Sequence, residues 1–189
     1  MNSKMIIVSA PSGAGKSSLV NYLLATGLPL EFSVSATSRA PRGREQNGKE
    51  YYFMTAGEFR EKIKNDEFIE WQEVYKDHFY GTLKSEIQRI WDNGRYPVFD
   101  VDVQGGINLK KIFGAAAVSI FIMPPSVSEL EKRLKKRATD SEEKIKMRVD
   151  KAAEELTLSD RFDKVVVNDS LSKASEEIVG IVKDFIDRQ

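Results

Sequence analysis

The chain has 189 residues, 41% of them apolar and 10% aromatic, enough for one folding unit with a substantial core. Its 29 basic and 29 acidic residues cancel, so net charge supplies no attraction to nucleic acid or to a membrane surface. The absence of cysteine removes disulfide scaffolds, thiolate metal sites and cysteine nucleophiles, and one histidine, His78, excludes multi-histidine metal centres.

Met5 to Ala10 is a short β-branched run that predicts a buried strand. It is too short for a signal core and is stopped by Pro11 and Gly13, and no stretch approaches a membrane span, so a cytoplasmic protein is expected. Ser17 to Thr26 carries Leu19, Val20, Leu23 and Leu24 at helical spacing and ends before Gly27. Between strand and helix stands Ala10-Pro11-Ser12-Gly13-Ala14-Gly15-Lys16-Ser17, which fits the phosphate-loop pattern G-x-x-x-x-G-K-[ST] except at its first position. Backbone N–H groups and the helix N-terminus suit a polyphosphate there, Lys16 adds a point charge and Ser17 a hydroxyl ligand for Mg²⁺. A glycine-rich turn opening a helix is the plainer alternative. Ala10 fits only with a negative φ.

Residues 31–82 break the alternation, with strand-like pieces (EFSVSAT, EYYFM, FIEWQEVY) around one helix opened by a capping box, Thr55 to Glu58. Arg39, Arg42 and Arg44 are held out of a helix by Pro41 and Gly43, so they project from a loop. Rigid guanidinium forks on a loop suit a phosphate, with Tyr51 and Tyr80 completing a cage; a solvated basic loop is the alternative. Glu70, among Phe68, Ile69 and Trp71, needs a donor, and the N1–H and N2–H₂ edge of guanine offers two; the alternative is the polar face of a strand. His78 reads as a loop residue without a catalytic role, and Trp71 and Trp91 as core.

Lys84 to Asn93 predicts a helix with Ile87, Ile90 and Trp91 on one face. Pro97 to Val103 (PVFDVDV) predicts a strand whose alternation puts Asp100 and Asp102 on one face, where carboxylates call for a cation or donors unless that face is wet. Ala117 to Met123 and Asp163 to Val167 predict two further strands. Val127 to Leu158 is charged and helical, interrupted near Ala138 to Asp140, with Thr139 and Glu142 placed to restart it: a hinged lid. Arg133 and Arg137 are four apart on one face, and the run from Lys132 to Arg137 is otherwise a solvated helix face or a nucleic-acid patch, the latter weakened by the surrounding acids. Leu171 to Arg188 predicts a final amphipathic helix. Strands alternating with helices predict an α/β fold with a parallel core sheet.

These blocks, SAPSGAGKSS, SATSRAPRGRE, NGKEYYF, FIEW, YGT, VFDVDVQGG, RLKKRATDSEE and VVND, make the chain resemble a guanylate kinase of the bacterial type from end to end. The resemblance implies a three-layer core like that of phosphate-loop nucleoside triphosphate hydrolases, a mixed monophosphate-binding insertion and a helical lid. The expected organisation is one domain, with core 1–32, 83–126 and 159–189, insertion 33–82 and lid 127–158. The implied activity, within purine nucleotide metabolism, is transfer of the γ-phosphoryl of ATP to GMP with Mg²⁺. Catalytic roles fall to Lys16, Arg39, Arg137 and Arg148. ATP contacts fall to Ala10 through Ser18 (Ala10, Pro11, Ser12, Gly13, Ala14, Gly15, Lys16, Ser17, Ser18) with Arg133 and Asn168. Ser35, Glu70, Thr82 and Asp102 match residues around the guanine; Arg39, Arg42 and Tyr51 with Tyr80 match those on its phosphate, and Glu45 goes with the same GMP set. Ser17 and Asp100 would face the metal, Asp100 through water. No nucleic-acid or membrane partner is expected. Ala10 and the stretch Lys76-Asp77-His78-Phe79 depart from the family pattern. A kinase for another monophosphate, or an inactive interaction module of this fold, are the competing readings, the latter disfavoured by the intact Gly15, Lys16, Ser17 and Asp100.

Overall fold

The computed structural model describes residues 4–136 and 141–188. Contacts divide it into two compact units, one of residues 1–30 with 98–189 and the other of residues 31–97. The expected insertion, 33–82, is narrower than the second unit, because the helix Lys84–Asp92 packs on a strand of that unit.

The expected strands form as β1 (Met5–Ser9), β7 (Tyr96–Val101), β8 (Ala117–Met123) and β9 (Lys164–Val167), with β2 (Leu30–Phe32) at one edge of their sheet. The sheet order is β2-β7-β1-β8-β9, and β7, β8 and β9 pair parallel in the registers Ile6↔Val98, Met5↔Ala117 and Ile120↔Lys164. β1 is buried at every position, which is why it reads as a continuous apolar run and not as an alternation. Helices α1 (Lys16–Leu24), α4 (Val103–Phe113) and α7 (Leu171–Asp187) cover the sheet; α1 packs on α7, and α4 on β1 and β8. α5 (Val127–Lys136) and α6 (Glu142–Leu156) pack through Leu130, Leu134, Ile145 and Ala152. The start of α6 is set by Ser141, whose hydroxyl accepts from the Lys144 N–H; Thr139 lies outside the described residues.

The second unit holds a four-stranded sheet in the order β4-β3-β6-β5, made of β3 (Ala36–Thr37), β4 (Tyr52–Phe53), β5 (Phe68–Tyr75) and β6 (His78–Leu83). Helix α2 (Ala56–Lys64) starts at the expected box: Thr55 accepts from the Glu58 N–H while the Glu58 carboxylate accepts from the Thr55 N–H. Its Phe59 stacks on Phe68 and Phe79 to form the core, with ring centroids 4.2 and 5.2 Å apart. Helix α3 (Lys84–Asp92) turns Ile87 and Ile90 inward as its periodicity requires.

Three sequence expectations are corrected. His78 opens β6 instead of lying in a loop, because β5 and β6 join through a tight turn with Asp77 at φ 65°. Trp71 is not core: β5 is an edge strand and leaves its indole 46% exposed, against the edge of Phe79. β7 ends at Val101, so Asp102 is not a strand residue; it caps α4, accepting from the Gly105 N–H at 2.7 Å.

Candidate functional site

The loop between β1 and α1 lies at the carboxyl end of the sheet, where β7 and β8 flank β1, the usual place for ligands in open α/β sheets. Gly13 (φ 96°) and Gly15 (φ 93°) take left-handed backbone, and Ala10 is not among the residues of positive φ, so the departure from the loop pattern carries no strain. The loop is held from both sides. A Cβ at Gly13 would sit 3.0 Å from Leu134 of α5, and one at Gly15 would run into the Asn168 amide. That amide, almost fully buried, donates to the Ala14 carbonyl at 2.8 Å, while the Asn168 carbonyl accepts from Arg133 at 3.0 Å.

Lys16 rests on the end of β7: its ammonium donates to the Val101 carbonyl at 2.6 Å and pairs with Asp100, each side chain about one-fifth exposed. The end of β1 is tied to the same place by the Ser9 hydroxyl, which donates to the Asp102 carbonyl at 3.1 Å. α4 can start so close only because residue 106 is glycine, since a Cβ there would collide with Ser9 and lie 3.0 Å from the Phe162 ring. This accounts physically for the second glycine in the DVQGG block. The resulting cleft of about 350 Å³ is lined by the loop, Ser17, Asp100 and Asp102, and on its far wall by Arg148, Lys151 and Glu155 of α6. Arg148 reaches the Ser12 hydroxyl at 3.5 Å. Burial pushes the Glu155 carboxyl above its ordinary range.

In the second unit Arg39 is nearly buried and fully engaged. Its two terminal nitrogens donate to both Glu45 oxygens at 2.6 and 2.7 Å, its Nε to the Tyr80 hydroxyl at 3.2 Å, and its guanidinium lies 4.9 Å over the Tyr51 ring. The Arg39 hydrogen bond, joined by the Arg42 N–H at 2.7 Å, lowers the Glu45 pKa to about 2. Burial pushes the Tyr51 phenol up, which keeps it a neutral donor. On the neighbouring strands Glu70 stands opposite Thr82, and the buried Thr82 hydroxyl donates to the Glu70 carboxylate at 2.8 Å. Between them Gly81 is required: a Cβ would lie 2.6 Å from the Glu70 carbonyl oxygen and 2.9 Å from the Trp71 Cβ.

A family model for guanylate kinase matches residues 2–188 of the chain. The chain is 51% identical over 189 residues to the guanylate kinase of Bacteroides thetaiotaomicron, covering 100% of this chain and 93% of that one. It is 53% identical over 184 residues to that of Porphyromonas gingivalis, 97% and 98% of the two chains. Among solved structures, the guanylate kinase from Anaplasma phagocytophilum matches at TM-score 0.75 and 31% identity, over 98% of this chain and 87% of that one. The chain belongs to the guanylate kinase family. The family consists of kinases that transfer the γ-phosphoryl of ATP to GMP.

Within that family frame, the predicted donor-side residues Ala10 to Gly13, Gly15 to Ser17, Asp100 and Arg148 share one cleft, while Ala14 is fully buried and does not line it. Ser18 is exposed in the first turn of α1. Arg133 does not line the cleft but donates to the Asn168 carbonyl and to Glu129, and Asn168 reaches the loop from beneath. Arg137 lies outside the described residues. On the acceptor side Arg39, Tyr51 and Tyr80 come together and Glu70 meets Thr82, while Arg42 is exposed. Glu45 is the counter-ion of Arg39. Sequence reading missed Lys151 and Glu155, although their spacing of three and seven from Arg148 marks one helix face.

Proposed function

We propose that this chain performs the family reaction with the phosphate loop as donor site and the Arg39–Tyr51–Tyr80 cluster as acceptor-phosphate site. Lys16, resting on Asp100 and the Val101 carbonyl, is placed to exchange those partners for the β- and γ-phosphates of ATP. Arg148 brings a second cation to the same cleft. The phosphoryl passes from the terminal bridging oxygen of ATP to a phosphate oxygen of GMP: one P–O bond breaks, one forms, and ADP leaves with the bonding pair. A phosphomonoester has a second pKa of about 6, so its attacking oxygen is largely anionic at neutral pH and no general base is required. The residues therefore act by positioning and charge neutralisation.

The donor chemistry at the cleft fits Mg²⁺. Ser17 and Asp100 both face it, a hydroxyl and a carboxylate, and a hard cation that keeps several waters suits two such oxygens beside a triphosphate. When bound, Mg²⁺ neutralises charge on the phosphate oxygens. No cluster of three or more His, Cys, Asp or Glu suited to a metal occurs among the described residues, which leaves the nucleotide to supply other ligands. We place the reaction in the cytoplasm, with its ATP and GMP pools; no helix among the described residues is long and apolar enough to cross a membrane.

The observation that carries the choice of acceptor is the Glu70–Thr82 pair. A carboxylate held by a buried hydroxyl is preset to accept the N1–H and N2–H₂ donors of guanine, whereas adenine turns an acceptor N1 toward it. Sites that lose a polar partner in this way reject the wrong analogue by about 10⁴ to 10⁵. A coupled assay of ADP release with ATP and each of GMP, AMP, UMP, CMP and dTMP tests this. GMP should be the one good acceptor, and Glu70→Gln should lose most kcat/KM for it, because an amide accepts on one atom only. Ser35→Ala should cost about 1 kcal/mol for a neutral hydrogen bond. Equal turnover of AMP, or an unchanged GMP preference in Glu70→Gln, overturns the assignment.

A further inference from the structure

A glutamate in the first turn of a helix ordinarily faces solvent and complements the helix dipole. Glu86 occupies that position in α3, yet it is only 2% exposed. Its carboxylate accepts four hydrogen bonds. Oε1 takes the Val34 N–H at 3.0 Å and one Arg89 terminal nitrogen at 3.0 Å; Oε2 takes the Tyr52 hydroxyl at 2.8 Å and Arg89 Nε at 2.9 Å. Four donors match the accepting capacity of an ionised carboxylate. Burial pushes its pKa up, but the bonds from Arg89, Val34 and Tyr52 outweigh burial and hold it below the ordinary value. Arg89 is steadied in turn by Glu31.

The two backbone segments that Glu86 joins are the ones flanking candidate GMP contacts. Val34 precedes Ser35, and Tyr52 follows Tyr51. The Tyr52 N–H donates to the Ser35 carbonyl at 2.9 Å, so carboxylate, Val34, Ser35 and Tyr52 form a closed ring of bonds. The buried anion thus bonds to the residue before Ser35 and to the residue after Tyr51. A second carboxylate network, the exposed Asp163 with Ser119 and Lys110, adjoins no candidate substrate contact.

We propose that Glu86 is a positioning residue for the acceptor nucleotide, holding Ser35 and Tyr51 in register for GMP; this rests on the reading of those two residues as GMP contacts. Displacing a substrate-orienting group by about 1 Å can cost on the order of 10²-fold in rate. Glu86→Gln leaves one acceptor oxygen and turns an NH₂ toward donors, so KM for GMP should rise at least about tenfold while KM for ATP stays within about twofold. Tyr52→Phe removes a single bond and should raise KM for GMP by about three- to tenfold. A merely structural role would lower Tm and the active fraction without separating the two KM values.

The experiment measures KM for GMP, KM for ATP and Tm on the purified full chain carrying each substitution, with Glu70→Gln in parallel. A rise in KM for GMP alone in both Glu86→Gln and Tyr52→Phe supports the positioning role. An unchanged KM for GMP in Tyr52→Phe overturns it, even where Glu86→Gln does not fold, and so does a parallel rise in KM for ATP. If Glu70→Gln raises KM for GMP and the other two do not, the positioning role falls and the acceptor reading stands. If none of the three moves it, the acceptor reading falls as well.

Discussion

Replacing Lys16 by Met keeps an unbranched side chain one atom shorter and removes its charge, so it separates the role of the lysine in the reaction from its role in the fold. In the fold, Lys16 contributes one ion pair to Asp100 and one hydrogen bond to the Val101 carbonyl, with about one-fifth of each charged side chain exposed. Fully exposed pairs are worth about 0–1 kcal/mol, and breaking a fully buried one costs about 3–5 kcal/mol. The partial exposure of Asp100 lets water take over part of its solvation, so the loss should be about 2 kcal/mol. At about 2–4 °C per kcal/mol for a chain of this size, Tm should fall by about 4–8 °C and the protein should remain folded at assay temperature. In the proposed reaction, the ammonium would face charge that develops on the transferring phosphoryl, where loss of one preorganised donor costs about 10² to 10³ in kcat. A full positive charge belongs at the upper end, so we expect a fall of about 10³-fold. Coupled ADP release at saturating ATP and GMP measures kcat, and differential scanning calorimetry measures Tm. A kcat within tenfold of the unmodified chain would refute the donor-site assignment. A Tm loss beyond about 15 °C would show that Lys16 holds the fold and that the 2 kcal/mol reckoning is wrong.

Gly81→Ala should destabilise the chain by about 1–3 kcal/mol and raise KM for GMP but not for ATP, since the new Cβ would press on the Glu70 carbonyl oxygen and spread β5 from β6; calorimetry and paired KM values check both. Glu45 has its carboxyl lowered from 4.5 to about 2, so the stability it adds is present in full above pH 4.5 and is lost as pH falls toward 2. Tm of Glu45→Gln should therefore fall less steeply than that of the unmodified chain below pH 4.5, and parallel Tm-against-pH curves would contradict the Arg39–Glu45 pairing. Chelation with EDTA should abolish turnover and added Mg²⁺ restore it, whereas undiminished turnover in EDTA would remove Ser17 and Asp100 from a metal role.

The donor half of the site was legible before folding because it is local. Ala10 to Ser17 follow one another, so strand, turn and helix N-terminus are set by consecutive residues, and the glycine spacing dictates where backbone of positive φ falls. The buried parallel strands were equally legible, since a strand covered on both faces must be apolar throughout, as β1 is. Exposure at a sheet edge was not: FIEWQEVY predicts a strand but does not say that β5 lies at the edge of its sheet, where Trp71 is exposed. Nor does a periodicity of two say where a strand yields to a helix cap, so it does not distinguish Asp102 as a cap from a strand residue. Only tertiary structure decided the partners of the charged groups. Arg39 finds Glu45 six residues away, Lys16 finds Asp100 across the sheet, Asn168 supports Ala14 from the far end of the chain, and Glu86 gathers Val34 and Tyr52. Hydrogen bonds select by distance and direction in space, and no spacing along the chain encodes those when the partners sit on different elements.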